Sequence, residues 1–322
     1  MKPHLVAVDI GGSKMSFLAR EADSGQDVYA DKIKTPADEG VEAILGILDE
    51  EIAAIPGGRG GMAALGLAVP GPVDPHGKVV RAGNLEGWVD VPLRALLEKR
   101  YGVPVFVERD SSCGALGEKW CGAATEMDTF VFLALGTGVG AGLFLDGRLY
   151  RGAHFASGEA GELAFFCGEK RTNLSEVVGK NAIKKRVSRA IGKKLNAAEA
   201  LARARKKSRL ARATQPVIEQ LTGAVVAIGA LLDPQAIIFG GGTSEAGAAL
   251  LSRLRKEVRG YLETVPRLML AKLRGDAQLY GALWGAIHAS QRAPAKAAAH
   301  ERRLQRASMN GAIVENSQSE EL

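Results

Sequence analysis

The sequence has few cysteines, few aromatic residues and no long uninterrupted apolar stretch. Its three cysteines, Cys113, Cys121 and Cys167, form neither a CxxC pair nor a disulfide framework, which is typical of free thiols in a reducing compartment. The amino-terminal stretch MKPHLVAVDIGG lacks the apolar core of a signal peptide, and no apolar run reaches membrane-spanning length. We therefore expect a cytoplasmic protein with no membrane partner.

The chain also carries only a small excess of positive charge. A net charge of +6 over 322 residues is compatible with an anionic substrate but does not by itself indicate nucleic acid. The apolar content of 46% and charged content of 24% are typical of a soluble globular protein of one large or two ordinary domains. Residues 177–212 are basic, with alanine and leucine at helical intervals. We interpret them as a solvated helix face, with a polyanion-binding face as the alternative.

Glycine, by contrast, is abundant, and most of it lies in turns between apolar runs. A strand is predicted at 5–10 and another at 15–20, joined by Gly11-Gly12-Ser13-Lys14. Consecutive glycines let backbone N–H groups approach a phosphate closely, and Ser13 and Lys14 add donors. A plain glycine hairpin is the alternative. Asp9, at the end of the first strand, is a candidate ligand for a metal or a water.

Two later glycine-rich turns follow apolar strands in the same way. The strand predicted at 129–135 runs into GTGVGAG at 136–142, which lacks both the GK[ST] ending of a P-loop and the following helix of a dinucleotide fold. It is therefore a second strand–turn–strand unit that suits a phosphate. The strand predicted at 236–239 precedes Gly240-Gly241-Gly242, a turn that allows a flat ring to lie against the backbone.

A carboxylate stands at the corner between a strand and a helix. Asp110 follows a strand predicted at 103–107 and precedes a helix predicted at 115–120. This position suits a side chain that faces a cleft, and the alternative is a helix N-cap. Earlier in the chain, residues 84–88 carry an amide and an indole that suit a polyol, or form a surface turn. Helices are also predicted at 41–55, 91–101, 216–232 and 279–289, and a strand at 61–69.

The order of these features resembles one known family. The features are Asp9-Ile10-Gly11-Gly12-Ser13-Lys14, Pro70-Gly71-Pro72-Val73-Asp74, Asn84-Leu85, Asp110, Gly136-Thr137-Gly138-Val139-Gly140 and Gly240-Gly241-Gly242. They resemble the ROK (repressor, open reading frame, kinase) sugar-kinase family. The resemblance implies an α/β, two-lobed actin-like ATPase (ribonuclease H-like) fold, with ATP and a hexose in the cleft between the lobes. It implies a small lobe of residues 1–118 plus 277–292, a large lobe of 119–276, and a mobile tail at 293–322.

The same resemblance implies a role for individual residues. Asp110 would be the general base that accepts the proton of the attacking sugar hydroxyl. Phosphates and adenosine would be bound by Gly11, Gly12, Ser13, Lys14, Thr137, Gly138, Gly240, Gly241 and Gly242. The sugar would be bound by Gly71, Asn84, Asp110, Glu162 and Glu176. Phosphoryl transfer requires mostly positioning and charge neutralisation, and Mg²⁺ is implied although no motif names its ligands.

The chain departs from the family pattern at the sugar and zinc positions. Arg109 stands where the family has Asn before the catalytic Asp, and Ser112 replaces a second Asn. Phe165 replaces a histidine that binds sugar and zinc, and Cys167 is the one cysteine left of the zinc loop. One cysteine without histidine does not make a tetrahedral zinc site, so we expect no zinc.

Three classes of function therefore stand side by side. The first is an ATP-dependent hexose kinase of glucokinase type, with polyphosphate as an alternative donor. The second is a repressor of the same family, which we disfavour because only four residues precede Leu5 and no DNA-binding domain is expected there. The third is a non-catalytic sugar or nucleotide sensor, which Arg109 and Phe165 keep open. The sequence does not name the sugar, and a homodimer is compatible with the resemblance.

Overall fold

The computed structural model describes residues 2–167, 170–205 and 207–292. The strands are β1 (His4–Ile10), β2 (Lys14–Glu21), β3 (Asp27–Lys34), β4 (Met62–Val69), β5 (Val79–Arg81), β6 (Val89–Val91), β7 (Val105–Arg109), β8 (Phe130–Leu135), β9 (Val139–Leu145), β10 (Arg148–Tyr150), β11 (Ala164–Cys167), β12 (Lys170–Asn173), β13 (Ala236–Gly240) and β14 (Arg267–Leu270). The helices are α1 (Gly40–Ala54), α2 (Gly58–Gly61), α3 (Leu93–Tyr101), α4 (Asp110–Cys121), α5 (Leu174–Val178), α6 (Lys180–Ile191), α7 (Ala197–Ala202), α8 (Arg209–Leu232), α9 (Ala248–Val258) and α10 (277–292). The predicted tail at 293–322 lies outside the described residues.

Two five-stranded sheets carry the fold, and each repeats the topology of the other. The first sheet has the order β3-β2-β1-β4-β7, in which β1 to β3 form an antiparallel meander and β4 and β7 add in parallel. The second sheet has the order β10-β9-β8-β13-β14 with the same strand directions. Each sheet is the centre of one lobe.

The central strands are apolar on both faces because both faces are covered. Val6, Val8 and Ile10 of β1 pack into a core with α1 and α3, while the alternating Leu5 and Ala7 pack against α10. Side chains alternate between the faces of a strand, so one short apolar run supplies two cores. In the second sheet, the faces of β8 likewise divide between a core with α8 and a core with α4.

Helices α4 and α10 meet between the two sheets, and glycines set how closely. A Cβ atom added to Gly281 of α10 would lie 1.8 Å from the backbone oxygen of Cys113 in α4. One added to Gly117 of α4 would lie 2.2 Å from the backbone oxygen of Ala277. The two helix backbones are therefore in direct contact. Cys113 is a free, buried thiol at this contact, and burial raises its pKa.

Several elements differ from the sequence-based expectations. Helix α4 begins at Asp110 itself, and α8 begins at Arg209 with Ser208 as its N-cap and Pro216 inside the helix. β3, β10, β14 and the hairpins β5–β6 and β11–β12 were not predicted. Helix α8 is long and apolar enough to cross a membrane by length and composition. Its apolar side, including Val217, Ile218 and Leu221, is buried in the core of the second lobe.

Candidate active site

Two adjoining cavities lie in the cleft between the lobes. One, of about 360 Å³, is lined by Asn84, Arg109, Glu159 and Ser175 among others, and we call it the Asn84 cavity. The other, of about 450 Å³, is lined by Asp9, Lys14, Lys180 and Lys184 among others, and we call it the Lys180 cavity. Six residues line both cavities: Gly11, Gly12, Asp110, Gly136, Thr137 and Gln278. The cavities are two ends of one cleft.

Asp110 lies at the junction of the two cavities. It is the first residue of α4, directly after β7, and Arg109 rather than Asp110 occupies the N-cap position. The backbone N–H of Ser111 donates to Asp110 Oδ1 over 2.5 Å. Burial raises the pKa of the Asp110 carboxyl, while the Ser111 hydrogen bond and the Arg109 charge oppose that rise. The carboxylate is thus poised to accept a proton from a group in either cavity.

Glycines of the second turn bring α4 to this position. A Cβ atom on Gly142 of β9 would lie 2.2 Å from the backbone oxygen of Ser111, and one on Gly140 would lie 3.3 Å from the Ser111 side chain. Only hydrogen at these positions lets the first turn of α4 approach the sheet. Gly142 therefore serves packing, whereas residues 136–140 line the cleft.

Asp9 contributes a second carboxylate to the Lys180 cavity. The pKa of Asp9 is raised to about 7, mainly by burial and also by the negative charge of Asp110, while the Lys14 charge opposes the rise. Asp9 is the penultimate residue of β1 and Asp110 follows β7, so the two carboxylates approach from different strands of the first sheet. Two such groups near one another favour a bound cation or a shared proton.

The glycine turns are fixed by their own backbones. Gly11 N–H donates to the Lys14 carbonyl over 3.0 Å, and Gly136 N–H donates to the Gly138 carbonyl over 2.9 Å. Gly241 has a φ of +78°, and a Cβ atom there would lie 2.6 Å from the backbone oxygen of Leu135. Gly242 lines the Lys180 cavity and has open space around it.

Most of the predicted site residues reach the cleft. Ser13 and Lys14 line the Lys180 cavity, and Gly71 and Asn84 line the Asn84 cavity. Gly12 permits the contact with Asn84, because a Cβ atom on Gly12 would lie 2.5 Å from Asn84 Nδ2. Of the third turn, Gly241 and Gly242 line the cleft, whereas Gly240 packs against the ring of Phe132.

The structure does not bring Glu162 and Glu176 to either cavity lining. Glu162 is exposed at the end of a 3-10 turn, Ala160–Glu162. Glu176 completes a capping box at the start of α5: its N–H donates to Asn173 Oδ1 over 2.9 Å, and its Oε2 accepts from Thr172 Oγ1 over 2.9 Å. The neighbouring Ser175 lines the Asn84 cavity instead, and its Oγ accepts from Val139 N–H over 3.0 Å.

Phe165 also lies away from the cavities. A Cβ atom on Gly223 of α8 would lie 2.8 Å from Phe165 Cε1, so the ring packs on α8 and the core of the second lobe. The expectation that this ring meets the sugar is therefore not supported by its position. Among the described residues no group of three or more potential metal-ligating side chains is found. Gly168 and Glu169 of the reduced zinc loop lie outside the described residues, and the expected absence of zinc stays a prediction.

Sequence reasoning did not assign several residues of the cleft: Glu159, Ser175, Lys180, Lys184 and Gln278. Lys180 and Lys184 belong to the basic stretch that we interpreted as a solvated face. Their spacing of four residues puts both on one side of α6, which was the available signal. The Asn-x-x-Glu pattern at 173–176 is a capping signature, and it could have shown that Glu176 caps a helix.

Comparison with known proteins places the chain in a family. The sequence profile of the ROK family matches residues 5–289. The chain belongs to the ROK family. A glucokinase of Thermotoga maritima is 30% identical over 284 residues, covering 81% of this chain and 89% of the glucokinase. A xylose repressor of Caldicellulosiruptor bescii is 26% identical over 308 residues, covering 87% of this chain and 77% of the repressor.

A solved structure shows the same architecture. The ROK family glucokinase of Streptomyces griseus, in complex with glucose and AMPPNP, superposes with a TM-score of 0.72 at 26% identity, covering 88% of this chain and 99% of that one. The fold is the two-lobed actin-like ATPase (ribonuclease H-like) fold, as the motif order implied. ROK proteins that match most of this chain thus include both sugar kinases and a repressor.

Proposed function

We propose that this ROK protein is an ATP-dependent kinase that phosphorylates a hexose. The observation that carries the proposal is the place of Asp110, which lines both of the adjoining cavities. A phosphoryl donor and an acceptor hydroxyl must meet within reach of one base, and the junction provides one such base. The matching glucokinases support this assignment.

The Lys180 cavity suits the donor. Backbone at Gly11, Gly12, Gly136 and Thr137, which line both cavities, would hold the phosphates together with the adjoining Gly138. Gly242 of the Lys180 cavity and the adjoining Gly241 would face the adenosine. Lys14, Lys180 and Lys184 bring positive charge to the same cavity, which suits a polyanionic donor. We assign the small lobe to residues 1–118 plus 277–292 and the large lobe to 119–276, and we place the protein in the cytoplasm.

Magnesium fits the donor end of the cleft. Asp9 is a carboxylate whose raised pKa reflects burial and the nearby negative charge of Asp110, so a cation would relieve both effects. Mg²⁺ in such sites takes one or two carboxylates plus phosphate oxygens, with water completing the shell. Asp9 would hold it, and its contribution when bound is to neutralise charge on the phosphates.

The Asn84 cavity suits the acceptor. The hydroxyl proton of the acceptor passes to Asp110 as the hydroxyl oxygen bonds to the γ-phosphorus, and the bond from that phosphorus to the departing ADP oxygen breaks. The raised pKa of Asp110 strengthens it as a base, and its position at the start of α4 fixes it relative to both cavities.

A sugar-binding protein without turnover is the second candidate. The Arg109–Glu159 ion pair lies in the Asn84 cavity, and Arg109 stands where the family pattern has an asparagine. One ROK protein that matches most of this chain is a xylose repressor and not a kinase by name, which supports this second candidate. Polyphosphate is the alternative donor, supported by the two lysines of α6 that reach the cleft.

A coupled kinase screen tests the proposal. Hexoses are offered with ATP and, separately, with polyphosphate, and phosphate transfer is measured for wild type and Asp110→Asn. The proposal expects at least one hexose to be phosphorylated by wild type and this activity to be lost in Asp110→Asn. Sugar binding without transfer from either donor would instead support the second candidate.

A further inference from the structure

Two ion pairs join the lobes beside the Asn84 cavity, and both come from consecutive residues at the end of β7. Glu108 Oε2 accepts from Arg151 Nε over 2.6 Å, and Arg109 Nη1 donates to Glu159 Oε1 over 2.7 Å. Arg151 and Glu159 belong to the segment after β10, which continues from the second sheet. The two pairs differ in one respect: Arg109 and Glu159 line the cavity, whereas Glu108 and Arg151 do not.

Both terminal nitrogens of Arg109 donate to protein oxygens, whereas its buried Nε has no partner among the described residues. Its side chain is 5% exposed, Nη1 bonds to Glu159, and Nη2 donates to the carbonyl oxygen of Ser157. A charge-assisted bond from a buried guanidinium fixes the carboxylate it holds more firmly than a neutral bond would. Both terminal nitrogens of Arg109 thus donate within the protein, and through Nη1 the guanidinium orients Glu159.

Glu159 keeps binding capacity of its own. Its Oε1 takes the bond from Arg109, and the side chain remains 36% exposed in the cavity that Asp110 and Asn84 also line. A carboxylate accepts several hydrogen bonds, so Oε2 and the second lone pair of Oε1 can accept from hydroxyl groups. Glu162 and Glu176, the carboxylates expected to do this, line neither cavity.

We propose that Glu159 is the carboxylate that binds the hydroxyl groups of the acceptor, and that Arg109 is its positioning residue. The inference rests on the proposed function in calling the ligand a phosphoryl acceptor. The cavity holds the carboxylates of Asp110 and Glu159 and the single guanidinium of Arg109, so its balance is negative. The acceptor it fits is a neutral sugar or an amino sugar, and a uronic acid is disfavoured by repulsion from the two carboxylates.

Direct sugar binding tests this independently of turnover. Dissociation constants of glucose, glucosamine and glucuronate are measured calorimetrically in wild type, Glu159→Gln and Arg109→Lys, with melting temperature as the check on folding. We expect Glu159→Gln to weaken binding of the preferred sugar by about ten-fold or more, because a hydrogen bond to a charged group is lost. Arg109→Lys should weaken it too, because a lysine cannot hold Glu159 and the Ser157 carbonyl together.

The matched control breaks the neighbouring ion pair. Arg151→Lys loosens the Glu108 contact between the same segments but touches no cavity, so sugar affinity should stay within two-fold or so of wild type. In steady-state assays, Glu159→Gln should raise KM for the sugar while leaving KM for ATP unchanged and kcat within a few-fold. A solely structural role would instead lower the melting temperature equally in Arg109→Lys and Arg151→Lys without this split.

Three results would overturn the inference. Unchanged sugar affinity in a folded Glu159→Gln removes Glu159 from the site. A loss in Glu162→Gln or Glu176→Gln with none in Glu159→Gln returns the role to the residues that the family pattern names. A wild-type protein that binds none of the sugars removes both this inference and the proposed function, whereas binding without phosphorylation removes the proposed function alone.

Discussion

The two ends of the cleft differ in the side chains that line them. Three lysines, Lys14, Lys180 and Lys184, line the Lys180 cavity, together with the glycines Gly11, Gly12, Gly136 and Gly242. Among the described residues, the Asn84 cavity is lined by no lysine; Asn84, Glu159 and Ser175 line it together with glycines of the same turns, and the Arg109–Glu159 ion pair lies at its wall. The glycine turns, which line both ends, are recognisable from the sequence, whereas the side chains that distinguish the two ends change with single substitutions.

This difference explains where the family pattern holds and where it departs. The three glycine turns named in the sequence analysis follow the family pattern. The departures from the pattern include Arg109, Ser112 and Phe165, and of these three Arg109 lines the Asn84 cavity. At Arg109, the Asn84 cavity therefore differs from the family pattern.

The largest expected effect lies at the junction of the two ends. Asp110→Asn keeps the size of the side chain and removes the base, so kcat should fall by about 10²–10⁴ while sugar affinity stays within a few-fold. Initial rates and calorimetry on the same preparation measure both quantities. Asp23→Asn, an exposed carboxylate in the turn after β2, is the control and should behave as wild type. Near-normal turnover in Asp110→Asn would remove Asp110 from the reaction.

Substitutions at two adjacent glycines, Gly241 and Gly242, separate two reasons for a glycine: a backbone conformation that other residues disfavour, and space for a ligand. Gly241→Ala introduces a Cβ at a φ of +78° and 2.6 Å from a backbone oxygen, so we expect a loss of about 1–3 kcal/mol in the free energy of unfolding. Gly242→Ala meets no atom within 4 Å and should fold normally, yet its methyl group enters the Lys180 cavity. Its KM for ATP should rise by up to about ten-fold, which is roughly 1.4 kcal/mol. Denaturant titration and ATP kinetics check the pair, and equal stabilities would contradict the backbone account.

The fold was predicted from sequence where apolar periodicity and turn chemistry agree. β1, β8 and β13 are short, apolar and followed by glycine, and each was predicted within a residue or two at its ends. β3 was missed because DVYADKIK is exposed or half-exposed along its length and has no apolar face. The sheet pairs it with β2 regardless, since a strand beside a formed edge gains its hydrogen bonds from tertiary context.

The side chains of the acceptor end were predicted less well for a related reason. Asn84 and Asp110 were predicted because each has a local sequence signal. Asn84 lies in a polar loop, and Asp110 directly follows an apolar strand. Glu159 and Arg109 are 50 positions apart, and their pairing depends on how the segment after β10 returns to the end of β7. Glu176 was assigned to the sugar although its place three residues after Asn173 predicts a helix cap. Contacts between the lobes have no local sequence signal.

The pH dependence of stability tests the carboxylate pair at the donor end. The pKa of Asp9 is raised to about 7, against about 3.9 in an unfolded chain. Between these values the folded protein holds a proton that the unfolded chain has lost, so the stabilising contribution of Asp9 is lost as the pH rises through about 7. Asn does not ionise. We therefore measure, in EDTA, the melting temperature of Asp9→Asn minus that of wild type. This difference should be more positive at pH 8 than at pH 5, by roughly 2–4 °C.

A difference that stays constant between pH 5 and pH 8 would show that Asp9 keeps an ordinary pKa. Asp23→Asn again provides the control, because an exposed carboxylate should leave the pH profile of the melting temperature unaltered. Scanning fluorimetry across the pH range is sufficient for this comparison.

The smallest expected effect is that of a chelator. Purified protein should contain well under one zinc per chain, and EDTA should not lower its melting temperature, because a structural zinc would contribute folding energy directly. Elemental analysis provides the count. Stoichiometric zinc would mean that the segment containing Cys167 binds metal despite its single cysteine.

Crossed kinetics on two variants test most directly whether the two cavities are separate ends that meet at Asp110. KM for the sugar and KM for ATP are measured in Glu159→Gln and in Gly242→Ala. The account predicts that Glu159→Gln raises only the sugar KM and that Gly242→Ala raises only the ATP KM, each by up to about ten-fold. A variant that raises the KM of the other substrate, or of both equally, would contradict the assignment of the two ends.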